Sequence, residues 1–143
     1  MTTIKRSALL PYPAERVYAL VVDIESYPHY MDGCVGAVIL KREPGLIEAR
    51  LDLARAGIQQ SFATRNLLRE HELIELELLE GPFESFRGCW QFQRLGDLAC
   101  KVSLDLEFSL NNSVLGVAAT RLFDSVTSSL VDSLARRAKQ LYG

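Results

Sequence analysis

The chain has 143 residues, 48% of them hydrophobic, and its 16 Lys and Arg against 18 Asp and Glu give a formal net charge of −2. This composition excludes a disordered tail and makes a disulfide scaffold unnecessary, because a chain of this length buries roughly two thirds of its unfolded surface in its own core. Near-neutral charge also argues against a dedicated nucleic-acid-binding protein, and no direct DNA binding is expected.

The start of the chain predicts one strand and two short helices. An apolar stretch over 4–10 is typical of a strand, and the prolines after it break the ladder, with Pro13 in the first turn of a helix through Val22. Asp23 can end this helix and cap another, which Pro28 keeps short. The two short helices therefore meet at an aromatic-rich joint.

From Val35 the hydrophobic period becomes two, which is typical of strands with one solvated face. Turn residues separate about six such strands, which favours antiparallel hairpins in a meander. The clearest alternation belongs to the last strand, whose apolar residues are Cys100, Val102, Leu104, Leu106 and Phe108.

The end of the chain predicts one long helix. Asn111, Asn112 and Ser113 can cap it, and the period is then helical through Leu141. Roughly 28 residues would make this helix about 42 Å long. The predicted fold is α+β: a curved antiparallel sheet of six or seven strands, two short helices after the first strand and a long C-terminal helix, in one domain over 1–143.

This order of elements implies a cavity. The only large element available to cover the apolar face of the sheet is the terminal helix. One helix is about 10 Å wide, whereas strands lie about 4.8 Å apart, so a single helix cannot fill the concavity of six or seven strands. The arrangement is a helix grip, and its groove suits an apolar ligand.

Six motifs carry a family resemblance over nearly the whole chain. In order, the chain resembles the bacterial START-like proteins of the polyketide cyclase/dehydrase superfamily (SRPBCC), and more narrowly the coenzyme Q-binding subfamily, which also contains bacterial ribosome association toxins. The motifs are Ser7-Ala-Leu-Leu-Pro, Asp23-Ile-Glu-Ser-Tyr-Pro, Ser61-Phe-Ala-Thr-Arg, Leu78-Leu-Glu-Gly-Pro-Phe, Cys89-Trp-Gln-Phe and Leu106-Glu-Phe.

The resemblance implies a hydrophobic tunnel that accepts ubiquinone or a similar lipid, in support of respiratory quinone handling. It implies no required cofactor beyond ubiquinone or a similar isoprenoid as ligand. The chain departs from the family pattern at one place. Where the family has Leu-Pro-Trp-Cys, this chain has Met31-Asp-Gly-Cys, with Gly33 in place of a ring, so the mouth of the groove is expected to differ.

The predicted ligand-binding residues fall into three sets, for which ordinary core packing is the competing interpretation. A gate at the short-helix joint, with hydroxyls able to meet a quinone carbonyl, consists of Tyr27, Tyr30 and Met31. The lining or rim contributed by the strands consists of Phe62, Phe83, Trp90, Phe92 and Phe108. The opposite wall, on the long helix, consists of Leu122, Phe123, Val126 and Leu130.

No catalytic or metal site is predicted. His29 and His71 are the only histidines, lie far apart and fall in predicted turns, which supports neither a metal site nor a Ser/His/Asp site. Cys34, Cys89 and Cys100 form no CxxC pair, which favours reduced thiols. With no signal peptide or membrane-spanning run predicted, we expect a cytoplasmic protein that can also sit peripherally at the inner membrane.

Three functions follow, in order of preference. The first is non-enzymatic binding of ubiquinone or another hydrophobic small molecule. The second is a toxin-like contact with a ribosomal subunit, and the basic residues Arg136, Arg137 and Lys139 at the helix end are candidates for ribosome or transient membrane contact. The third is a polyketide cyclase or dehydrase. It is ranked last because such an enzyme needs an acid/base residue inside the groove, and the residues predicted to face inward are almost all apolar. The acids from Glu70 to Glu84 are interpreted as a solvated face that also protects an edge strand, with a protein-docking surface as the alternative.

Overall fold

The computed structural model describes residues 1–110 and 114–143, so the predicted cap at Asn111, Asn112 and Ser113 lies outside the described residues. The strands are β1 (Thr2–Leu10), β2 (Cys34–Glu43), β3 (Leu46–Arg55), β4 (Ile58–Arg69), β5 (Leu73–Glu80), β6 (Phe83–Arg94) and β7 (Cys100–Leu110). The helices are α1 (Ala14–Val22), a 3₁₀ helix (Ile24–His29), α2 (Val114–Ser128) and α3 (Leu130–Tyr142).

The described strands form one seven-stranded antiparallel sheet in the order β1-β7-β6-β5-β4-β3-β2. Strands β2 to β7 are therefore a meander, as the turn spacing predicts. β1 closes beside the last strand, in a register from Thr2 opposite Phe108 to Leu10 opposite Cys100. The predicted α+β fold, with a curved sheet of six or seven strands, is confirmed.

The two faces of the sheet differ as the period of two requires. Every second residue of β7 is buried, from Cys100 to Leu110. On the outer face, the guanidinium of Arg65 lies 2.9 Å from the Glu48 carboxylate and 3.9 Å from that of Glu77. Cross-strand pairs of opposite charge stabilise the sheet on this solvated face. The inner face carries the apolar residues and forms one side of the hydrophobic core.

The helices pack their apolar sides against the inner face of the sheet. α1 packs on β6 and β7 and buries Val17, Leu20 and Val21, while the 3₁₀ helix lies beside β2. α2 contacts β1, β3, β4 and β7, and α3 continues over β1 and towards α1. Within 1–110 and 114–143, none of the helices combines the length and the apolar character that crossing a bilayer requires.

The predicted long terminal helix is present, with a break at Ser129. The Ser129 N–H donates to the Val126 carbonyl at 3.2 Å, a three-residue spacing in place of the four-residue spacing of an α-helix. The Ser129 hydroxyl donates to the same carbonyl at 2.9 Å. Serine competes for backbone bonds in this way and interrupts helices. The apolar period continues through the break, so the sequence pattern alone does not reveal it.

Candidate ligand-binding cavity

The helices leave a cavity over the inner face of the sheet. It offers about 80 Å³ to the centres of water-sized molecules, several times the roughly 10–15 Å³ that one buried water needs. Pockets for small organic ligands are likewise mostly apolar.

Nearly every element contributes to the wall. β3 supplies Ile47, Ala49, Leu51 and Leu53, which are the inward residues of its alternation. β4 to β7 supply Phe62, Thr64, Asn66, Leu68, Ile74, Leu76, Phe86, Trp90, Leu104, Leu106 and Phe108. The helices and the joint supply Val21, Val22, Ile24, Tyr27, Met31, Cys34, Phe123, Val126, Thr127 and Leu130. None of these described lining residues carries a formal charge at neutral pH.

The structure brings eight of the twelve predicted residues to this wall. They are Tyr27, Met31, Phe62, Trp90, Phe108, Phe123, Val126 and Leu130. Because they come from the joint, the sheet and the two terminal helices, the three predicted sets do meet around one space. Their contact with a ligand stays a prediction.

The other four predicted residues lie outside the wall. Leu122 is buried beside it. Phe83 packs into an aromatic cluster, with its ring centroid 4.7 Å from that of Phe123. Phe92 is near the end of β6, where Tyr18 of α1 covers it, with 5.3 Å between the two ring centroids. Parity places a residue on a face, but position along the strand decides whether a helix or the cavity covers it.

Tyr30 is the fourth residue outside the wall, and its position corrects the predicted gate. Its ring packs edge-on against that of Tyr27, 6.2 Å between centroids, and the Arg137 guanidinium lies 5.3 Å from its centroid. Its hydroxyl is sealed by packed atoms without a hydrogen-bond partner. The Tyr27 hydroxyl donates to the Val21 carbonyl. The structure therefore presents neither hydroxyl to a ligand carbonyl.

Sequence reasoning missed the polar part of the wall. Thr64 and Asn66 are 7% and 8% exposed, and the Thr64 hydroxyl donates to Asn66 Oδ1 at 2.8 Å. Both share the parity of Phe62 and Leu68 on β4, so the alternation itself could have placed them inside. Thr127 also lines the cavity, but its hydroxyl donates to the Phe123 carbonyl within α2.

Gly33 directly precedes the lining residue Cys34 and has φ +87°, in the left-handed region. A Cβ there would lie 2.5 Å from Val126 Cγ2 and 3.5 Å from the Arg55 guanidinium. Arg55, at the end of β3, donates to the Ser125 hydroxyl of α2. An arginine that bridges the sheet and the helix thus lies beside the position where the resemblance leads one to expect a ring. Whether this changes the mouth of the groove stays a prediction.

The titratable groups of the wall are Tyr27 and Cys34. Burial raises the pKa of the Tyr27 hydroxyl well above its usual value. Burial also raises the pKa of the Cys34 thiol, to about 11. Both side chains are neutral at pH 7. In the described part of the chain, no cluster of three or more His, Cys, Asp or Glu side chains could hold a metal ion.

Comparison with known proteins agrees with this architecture. The family model "Polyketide cyclase / dehydrase and lipid transport" matches residues 10–135. The chain is 41% identical over 142 residues to the ribosome association toxin RatA of Pseudomonas aeruginosa, covering 99% of each chain. It is 39% identical to RatA of Escherichia coli, covering 99% of this chain and 90% of that one. This chain belongs to the polyketide cyclase/dehydrase and lipid transport family.

Within the family, the chain falls in the branch that RatA shares with coenzyme Q-binding proteins. It is 24% identical to the mitochondrial coenzyme Q-binding protein COQ10 of Dictyostelium discoideum, covering 94% of this chain and 67% of that one. A START superfamily protein from Mycobacterium smegmatis superposes with a TM-score of 0.80 at 24% identity, covering 97% and 98% of the two chains. The Zhui aromatase/cyclase from Streptomyces sp. R1128 superposes with a TM-score of 0.85 at 15% identity, covering 97% and 94%. These two structures show the family fold alone.

Proposed function

We propose that the protein binds a hydrophobic small molecule, ubiquinone or a related isoprenoid, in the cavity between the sheet and α2. The observation that carries the proposal is the wall itself, which is built from apolar side chains of nearly every element and leaves an unfilled space. A well-packed core keeps few voids larger than a water molecule. An unfilled space with an apolar, uncharged wall suits an apolar ring or chain.

We propose further that this binding involves no catalysis and requires no cofactor. General acid–base chemistry needs a group whose pKa lies near the working pH. The wall offers Tyr27 and Cys34, whose pKa values burial moves away from neutrality. The cyclase alternative has the fold of Zhui in its favour but no such group among the described lining residues.

Native mass spectrometry of protein purified from its own host tests the first proposal, and we expect a bound apolar species. A titration of stripped protein with decylubiquinone is the direct measurement. Trp90 is the single tryptophan and lines the cavity, so quinone binding is expected to quench its fluorescence. Empty protein that also takes up no decylubiquinone would overturn the proposal.

A second candidate is association with a ribosomal subunit, favoured by the full-length likeness to RatA. A basic hollow at the surface, formed by the 3₁₀ helix and α3, gives this candidate a location. Its residues include His29, Arg136 and Arg137, with Asp32 as the one acid among those described. Guanidinium groups suit the phosphates of ribosomal RNA. With this contact, the proposed location is the cytoplasm.

Sucrose-gradient profiles of ribosomes with added protein test this candidate. We expect free subunits to increase at the expense of joined ribosomes, and the double variant Arg136→Glu/Arg137→Glu to lose the effect. Lys139→Glu is the matched control, because Lys139 lies on the same helix outside the hollow. Unchanged profiles with the unmodified protein, or equal activity of the double variant, would rule against the hollow as the contact.

A further inference from the structure

The cavity holds one polar feature that apolar binding alone does not explain. Asn66 lies in the middle of the sheet, opposite Ile47 of β3 and Leu76 of β5, with its side chain on the wall of the cavity. A buried amide costs free energy unless its hydrogen bonds are made. A leucine, which has the same branched shape, would avoid this cost at a position whose cross-strand neighbours are apolar.

Only the oxygen of the Asn66 side-chain amide is hydrogen-bonded among the described residues. The Thr64 hydroxyl donates to its Oδ1 at 2.8 Å, which fixes the amide with the oxygen towards β4. Its two N–H donors have no hydrogen-bond partner among the described residues. They are also not sealed by packed atoms, as the Tyr30 hydroxyl is. Asn66 thus offers the cavity two neutral hydrogen-bond donors and carries no charge.

The absence of charged residues from the described wall limits which hydrogen-bond acceptors can pair with these donors. Since no described lining residue is charged, an ionised carboxylate would enter without a counter-charge. Burial of an unpaired carboxylate costs far more than burial of a neutral carbonyl. A neutral ketone or ester oxygen needs only the donors that Asn66 has free.

We propose that Asn66, held in place by Thr64, is the polar anchor of the cavity and selects ligands with an uncharged carbonyl, such as a quinone ring, over hydrocarbons and fatty acids. This inference rests on the proposed hydrophobic-ligand function and adds to it the chemical class of the ligand head. The anchor is part of the binding site, on the strand that faces α2 across the cavity.

The test measures selectivity with three probes that carry the same ten-carbon tail: decylubiquinone, decylbenzene and decanoate. Displacement of a bound apolar dye gives the dissociation constant of each. For the unmodified protein we expect the tightest binding for decylubiquinone and the weakest for decanoate. Asn66→Leu is expected to weaken decylubiquinone about five- to tenfold, the typical worth of one hydrogen bond, and to leave decylbenzene unchanged or tighter.

Gln91→Leu is the matched control, because it makes the same amide-to-leucine change at an exposed position of β6 outside the wall, and we expect all three constants to stay within about twofold. Asn66→Ala, which removes the amide and its donors without adding a charge, is the second variant should Asn66→Leu fold poorly. If decylubiquinone and decylbenzene bind equally and neither Asn66 variant changes their ratio, the anchor is wrong while apolar binding stands. If no probe binds the unmodified protein, the proposed function fails with it.

Discussion

Single residues beside the cavity decide how closely the start of β2 and α2 approach each other. Gly33 allows Val126 of α2 to sit where any side chain at position 33 would begin. Its neighbour Cys34 starts β2 and is 5% exposed. Both residues therefore report on the packing between the start of β2 and α2, Gly33 through its close approach to Val126 and Cys34 through its burial.

Gly33→Ala is expected to destabilise the protein by about 2–4 kcal/mol, from the left-handed backbone and the overlap with Val126 together. Val126 is buried and β-branched, so its side chain cannot easily turn away. Gly57→Ala is the control, since Gly57 has φ +80° but no atom within 4 Å of the position that a Cβ would take. It should cost only about 1–2 kcal/mol. Equal losses of unfolding free energy for the two variants in urea unfolding would show that Val126 does not crowd position 33.

Cys34 predicts a loss of stability at alkaline pH. Burial raises the pKa of its thiol from 9.0 to about 11 in the folded protein, so the folded state holds the proton longer than the unfolded chain. The stabilisation is complete below pH 9 and is lost as the pH rises to about 11, because the unfolded state ionises first. Urea unfolding at intervals from pH 8 to 11 should show a steeper decline for the unmodified protein than for Cys34→Ala. Parallel declines would show that the thiol is not desolvated.

Among the elements, α2 alone spans from β1 to β3 across the open side of the sheet. The bond between Arg55 and Ser125 ties it to the β3 end, while the break at Ser129 lets α3 turn towards α1. The cavity thus lies under one fifteen-residue helix with a polar tie in its C-terminal half. Loosening that tie should affect α2 without affecting the rest of the sheet.

Arg55→Ala and Ser125→Ala are each expected to lower the free energy of unfolding by about 0.5–1.5 kcal/mol, the net worth of a hydrogen bond. The double variant should lose less than the sum of the two, because both singles remove the same contact. Arg50→Ala is the control, since Arg50 pairs with Asp52 on the exposed face of the same strand and should cost about 0–1 kcal/mol. Strict additivity in the double variant would show that the tie contributes nothing.

The sequence allows the strands and the face of each residue to be predicted, because a period of two follows directly from the pleat. Ile47, Leu53 and Phe108 all lie inward as their alternation indicates. It does not allow the depth along a strand to be predicted, which is why Phe92 meets Tyr18 and not the cavity. The hydrogen bond that orients Asn66 and the break at Ser129 depend on local backbone competition that hydrophobic periodicity does not record.

At the scale of the whole molecule, the cavity follows from a mismatch of widths. Seven strands about 4.8 Å apart present a face far wider than one helix of about 10 Å can cover. The aromatic cluster around Phe83 and Phe123 fills part of the difference, with those centroids 4.7 Å apart. The part near Ala49 and Thr64, which face each other across β3 and β4, stays unfilled because those side chains are small.

Ala49→Phe is therefore expected to fill the cavity and abolish binding while the fold is retained. A ligand at 100 times its dissociation constant stabilises by about 2.7 kcal/mol, so decylubiquinone should raise the Tm of the unmodified protein on the order of 10 °C. The same ligand should leave the Tm of Ala49→Phe unchanged. Ala54→Phe is the control, because Ala54 lies on the same strand outside the wall and its variant should keep the shift. An equal shift in Ala49→Phe would place the ligand elsewhere, and no shift in the unmodified protein would show that this quinone is not bound.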